Sequence, residues 1–400
     1  MCQCVKDNKK EQTIRKRGSA MAFITKKEQA GNGRQSNFEL LRIVCIFLII
    51  AFHYSVHGNQ STIFSSAISA NQVVSIVLGS WGLLGVNGFL FISAYFLIAK
   101  ESRFSTLKLL KLLLQTVFYS LGFVIVLALT GVITVDQQTI VGAVLSPFTG
   151  QYWFVTAFCV LYLVHPFLNR IIFGLSTRDL GKLVLVLLGL TVGYKTIYVL
   201  APFGDFDFVV SLYLLMGYLK RTPQNWFERH AVKGFWLTTG GIVLFGILVS
   251  VFHDSLSFLN HGQMDRLRFI SRYSPLMVLD AVFLFYLFKH FELKENRIIN
   301  HLSRAGLGVY LFHENPILRL FLWDGWLNID EVYQAPVLVY LFHFCISVLL
   351  LFGAGILVEW IRMRYFEKPL FKQLSTRFAD SLSRLDGWMN GCIRAKEDTT

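Results

Sequence analysis

Charge is the scarcest commodity in this chain. Only 16% of its 400 residues are charged, against 54% hydrophobic, and the mean hydropathy is +0.52. A soluble globule needs more charge than this, so that class is excluded and the chain reads as one multi-span membrane domain. Cysteine is sparse as well. Cys2, Cys4, Cys45, Cys159, Cys345 and Cys392 fall three in apolar stretches and three in polar ends, which excludes a disulfide framework. Cys2-x-Cys4 has no further Cys/His set nearby, so no metal is expected. No cleavage pattern follows an apolar core near the start, and the polar, basic residues 1–37 read as a cytoplasmic tail rather than a signal peptide. No internal repeat is evident, so an inverted-repeat transporter gains no support.

What is abundant is apolar length. Ten segments are long enough to span a bilayer, or nearly so: 38–57, 76–98, 109–133, 152–173, 183–201, 205–219, 234–252, 273–290, 301–323 and 334–361. Pro202 and Gly204 separate the fifth and sixth, which read either as two spans or as a broken, re-entrant pair. The formal net charge of +13 does not point to nucleic acid, because the basic residues cluster in alternate connections. The N-terminal tail, the connections after every second span (for example Lys100, Arg103, Lys108 and Lys111) and the segment after the last span carry them. The intervening connections carry almost none, which orients both termini to the cytoplasm. The expectation is an all-α polytopic bundle of about ten transmembrane helices. It divides into a tail 1–37, a membrane domain 38–361 and a cytoplasmic tail 362–400 whose apolar residues recur at helical spacing, as in an amphipathic helix on the inner leaflet. One connection, 253–272, breaks the rule with Arg266, Arg268 and Arg272. It reads either as a tolerated exception or as an outward-facing anion site.

Within the first apolar segment Arg42 and His53 are eleven residues apart. Eleven helical steps return to within roughly 20° of the same azimuth about 16 Å further along the axis. One face thus carries a guanidinium near one membrane surface and an imidazole at depth, where polar groups tend to line a reaction site or pathway. Arg42 alone is ordinary for the cytoplasmic end of a span, with Glu39 as an i−3 partner. His53 suits general-base or nucleophilic chemistry, or a hydrogen bond to a neighbouring helix.

The run Asn37-Phe-Glu-Leu-Leu-Arg-Ile-Val-Cys-Ile-Phe-Leu-Ile-Ile-Ala-Phe-His-Tyr54 resembles the first-span signature of the acyltransferase-3 family of integral membrane O-acyltransferases. Three further stretches resemble family elements in order: Gly85 to Leu97, Tyr152 to Asn169, and Leu302 to Pro316 with its Tyr310-Leu-Phe-His313. The resemblance implies acyl transfer from acetyl-CoA, or another short acyl-CoA, to a hydroxyl of a bacterial surface or lipid-linked glycan. It implies catalytic roles for Arg42 and His53, and acyl-CoA binding by Arg42, Arg103, Lys108 and Lys111. The last three are a diluted form of the family's basic cluster, suited to charge attraction more than to an arginine fork. His313 and Glu314 read as acceptor-holding or supporting groups midway along the ninth span, or as helix–helix hydrogen bonders. Tyr152 and Trp153 read as interfacial belt residues or as a stacking surface for a sugar. Asp280 reads as structural, with Arg272 or His343 as its partner.

The implied setting is the bacterial cytoplasmic membrane, with lipids and a glycan acceptor as partners and no nucleic acid. A separate extracytoplasmic partner is the alternative to transfer by the membrane domain alone. The competing class is a non-enzymatic flippase or exporter of a lipid-linked glycan. A glycan polymerase would need larger outer loops.

Overall fold

The computed structural model describes residues 34–57, 69–100, 103–197, 205–252 and 271–394. The basic residues before Arg34, Cys2-x-Cys4, Pro202, Gly204, Arg266 and Arg268 lie outside them. Among the described residues the structure is helical throughout, without strands. Six helices among the described residues are long and apolar enough to cross a membrane.

The main helices are α1 (Ser36–His57), α2 (Ala70–Leu97), α3 (Thr106–Leu129), α4 (Gln137–Val144), α5 (Trp153–Gly174), α6 (Thr177–Leu188) and α7 (Asp205–Arg221). They continue as α8 (Ala231–Val251), α9 (Pro275–Lys289), α10 (Arg297–Leu302), α11 (Gly306–His313), α12 (Val337–Arg362), α13 (Lys368–Arg377) and α14 (Ala379–Arg394). Local chemistry sets several starts. The Ser69 hydroxyl accepts from the Gln72 N–H to cap α2, and Ser274 caps α9 with Pro275 as its first residue, where the missing N–H costs nothing.

Helix α1 is the hub. On one side Phe38, Leu41 and Cys45 join a core built with α2, α5, α7 and α9, including Phe91, Leu212 and Phe285. On the other, Ile46, Ile50 and Tyr54 join a second core with α3, α11 and α12, including Tyr119, Val309 and Tyr340. The closest packing is with α2. A Cβ at Gly82 would overlap Phe52 and the Leu48 carbonyl, and one at Gly85 would stand 2.5 Å from the Cys45 carbonyl. Only hydrogen fits there, which lets the two backbones touch.

The ninth apolar segment does not run on as one helix. Helix α11 ends at His313, because Pro316 has no N–H to continue it. The Asn315 side chain then accepts from the N–H groups of Ile317 and Leu318, starting the chain on a new course. Glu314 is therefore at a helix terminus rather than in mid-helix. The tail likewise forms two helices, not one, interrupted at Phe378, and α14 ties back to α3 through Asp386 and the Thr106 N–H (2.6 Å).

At the end of α12 a buried carboxylate, Glu359, accepts from Gln115 (3.0 Å), Tyr119 (2.9 Å) and twice from Arg362 (2.8 Å each). Arg362 and Lys111 both pair with Glu367. Every charge here is matched, as burial requires.

Candidate active site

Four residues of α1 at helical spacing, Arg42, Ile46, Ile49 and His53, share one face. In the second turn of α1 Arg42 donates to Glu39 (2.7 Å) and lies over the Phe96 ring, 5.5 Å from its centre. The same Glu39 accepts from the Ser303 hydroxyl and from Arg34 (3.4 Å). Beginning one turn further, Ile46, Ile49 and His53 line a narrow cavity of about 50 Å³. Leu83, Val86 and Phe89 of α2, Gly306, Leu307 and Tyr310, and Trp153, Phe154 and Arg272 complete its walls. The part of this face from Ile46 to His53 is thus turned to an internal slot, and Arg42, one turn before it, does not line that slot.

His53 is buried and both its ring nitrogens are engaged. Nδ1 lies 3.0 Å from His313 Nε2, while Nε2 lies 3.2 Å from Glu314 Oε2. The tautomers follow from the far end. His313 Nδ1 is 2.6 Å from the Val309 carbonyl, which can only accept, so His313 Nδ1 carries hydrogen. In neutral His313 the other nitrogen is then an acceptor, and it takes the Nδ1–H of His53. That leaves Nε2 as the basic nitrogen of His53, held in place through its opposite edge.

Glu314 gathers two further groups. His57, one turn beyond His53 on α1, places Nε2 3.0 Å from Oε2, and Arg319 donates to Oε1 at 2.8 Å. Trp323 stacks on the His57 ring. His57 and Arg319 form no part of the site expected from sequence. The spacing His53-x-x-x-His57 puts both imidazoles on one helical face and was a readable signal. Arg319 carried none, because its approach depends on the break at Pro316.

The other expected residues divide. Tyr152 is fully buried, donating to the Leu311 carbonyl (3.2 Å) and accepting from Asn315 (2.9 Å), so it is a strut of the α11 terminus and not a belt residue. Trp153 does line the cavity, with the Arg272 guanidinium 3.8 Å above its ring centre. Arg103 and Lys108 are exposed near the start of α3, Lys111 is committed to Glu367, and none of the three lines the cavity. Asp280 pairs with neither Arg272 nor His343. It accepts from Thr238 (2.6 Å) and Thr239 (3.0 Å), whereas Arg272 binds Asp205 (2.7 Å) and His343 meets the Tyr54 hydroxyl (2.9 Å).

A family model described as an acyltransferase domain, that of the acyltransferase-3 group, matches residues 35–356. No curated protein and no solved structure matches the chain.

Proposed function

Since the chain belongs to the acyltransferase-3 family, we propose that it carries an acyl group, acetyl, from acyl-CoA to a hydroxyl of a cell-surface or lipid-linked glycan. The observation that carries this reading is the position of His53 on the wall of a slot that shares its face with Arg42. In the proposed arrangement about ten spans cross the cytoplasmic membrane of a bacterium, and both termini are cytoplasmic. Arg42 meets the CoA phosphates at the inner surface, with Arg103, Lys108 and Lys111 adding attraction as the coenzyme approaches. The pantetheine arm reaches on the order of 15 Å, close to the axial rise from Arg42 to His53. The apolar lining from Ile46 to Tyr310 matches the chemistry of that slender chain, and the slot widens to admit it.

The reaction then needs one proton moved twice. His53 Nε2 takes the proton from the acceptor hydroxyl, whose oxygen attacks the thioester carbonyl. Collapse of the adduct breaks the C–S bond, and the thiolate leaves with the proton returned by His53. His313 fixes the ring through Nδ1, and Glu314 beside Nε2 stabilises the imidazolium formed in between. Confinement of both reactants in a dry slot contributes proximity. Transfer through an acyl-histidine would use the same nitrogen. Trp153 and Arg272 at the far end of the slot are the surface for the incoming sugar. A flippase would need no basic imidazole at the wall of an internal slot, and the family match favours the transferase. Purified protein given labelled acetyl-CoA and a glycan acceptor should release thiol only when both are present. Release absent under all acceptors, with intact glycan export, would favour the flippase.

A further inference from the structure

Glu314 Oε2 lies 3.2 Å from His53 Nε2 and 3.0 Å from His57 Nε2, and one ligand atom of each of the three residues lies within 4.8 Å of the others. We propose that these residues form a binding site for a single Zn²⁺ ion. The inference rests on this geometry and borrows from the acyl-transfer reading only the role of His53 Nε2.

Three features argue for a metal. The first is the ligand set. Two histidines at i and i+4 on one helix, joined by a carboxylate from another element, give the His₂Glu donor set that zinc takes with a fourth position left open. The second is spacing. In a tetrahedron with zinc–ligand bonds of about 2.05 Å the ligand atoms are roughly 3.3 Å apart. The two contacts of Oε2 with His53 and His57 are 3.2 and 3.0 Å. His57 is at the last turn of α1 and part-exposed, so its ring can close the remaining separation and gives the ion a way in.

The third is the hydrogen count. The chain from Val309 through His313 gives His53 a hydrogen on Nδ1 and an unprotonated lone pair on Nε2. That lone pair faces a carboxylate oxygen, an arrangement that repels unless something positive sits between them. Zinc answers this with both imidazoles neutral. The supporting contacts are also those a zinc site uses: His53 donates its other N–H to His313, and Glu314 spends Oε1 on Arg319, leaving Oε2 for the metal. Zinc on Nε2 occupies the nitrogen that takes the acceptor proton, so bound metal blocks transfer.

The test uses full-length protein carrying Cys2→Ser and Cys4→Ser, which removes a competing thiol pair. Cobalt(II) titration should give the intense visible bands of a tetrahedral site at one equivalent, displaced by equimolar zinc. His57→Ala should weaken binding by at least about 100-fold, beyond the roughly 10- to 100-fold loss expected for His313→Ala as an outer partner. His57→Cys should restore binding and add a thiolate-to-cobalt charge-transfer band, a gain that a misfolded variant cannot produce. Absence of tetrahedral bands, or binding unchanged in both His57→Ala and Glu314→Gln, would overturn the site. An activity assay separates the two readings: zinc bound stoichiometrically with transfer undiminished would leave the site standing and remove His53 as the base.

Discussion

His53 and His313 meet nitrogen to nitrogen across 3.0 Å, and the Val309 carbonyl behind His313 decides which of them donates. In the proposed reaction that contact gives His313 a positioning role, acting through the ring it holds. His313→Ala should lower kcat by about 10- to 100-fold with KM for both substrates nearly unchanged, below the 10²–10⁴ of a direct acid–base group. His313→Gln, whose amide can still accept from His53, should recover part of the loss. Steady-state kinetics with both substrates varied checks the split, and an effect on KM alone would contradict it.

Arg42 is held by Glu39 and Phe96 one turn before the residues that line the slot, where the proposed coenzyme's phosphates would stay in water. Removing a charge-assisted contact should raise KM for acyl-CoA roughly 10- to 100-fold in Arg42→Ala. Arg42→Lys should lie between, keeping the charge and losing the fork. An Arg42→Ala enzyme that loses kcat with KM intact would place the guanidinium at the chemistry instead.

Gly82 and Gly79 give a matched pair for the α1–α2 contact. A methyl at Gly82 overlaps Phe52, so Gly82→Ala should destabilise by about 1–3 kcal/mol. At Gly79 the new Cβ would rest 3.4 Å from the Ser55 Cβ, which is ordinary contact, and Gly79→Ala should be neutral. Thermal unfolding in detergent distinguishes the two.

Glu228 predicts a pH effect outside the spans. Burial alone would raise its carboxyl, but Lys289 (2.8 Å), the Gln224 N–H (2.7 Å) and His290 outweigh that and hold it below the usual carboxylate range. A depressed value in the folded state means stability that is present above the unfolded value and lost as pH falls through the folded one. Glu228→Gln should therefore unfold at a lower temperature near about pH 7, with the gap to wild type closing towards about pH 4. A gap that stays constant across that range would show that the ion pairs contribute nothing.

Of the ten expected spans, six correspond to helices of membrane-crossing length among the described residues, legible because apolar length and period survive any packing. The first span expected at 38–57 is α1 at Ser36–His57, and that expected at 152–173 is α5 at Trp153–Gly174. Arg42 and His53 were legible for the same reason, since one helix's geometry fixes their shared face. The sequence hid what depends on contacts between elements. Pro316 was visible, yet its consequence, a helix terminus that aims Glu314 at two histidines of α1, needed the α1–α11 packing. Tyr152 resembled a belt residue because Tyr beside Trp at a span's end is typical of interfaces. Only the fold shows Asn315 and Leu311 closing over its hydroxyl. Asp280 by its charge invites Arg272 or His343 as a partner, whereas two threonines of α8, Thr238 and Thr239, satisfy it.

The most direct measurement is single-turnover transfer of a labelled acetyl group from acetyl-CoA to a glycan acceptor by wild-type and His53→Ala protein of equal fold and equal CoA affinity. Loss of about 10³-fold or more in the variant, with thiol release falling in step, is the expected result. Transfer by His53→Ala at the wild-type rate would contradict the assignment of the reaction to this imidazole.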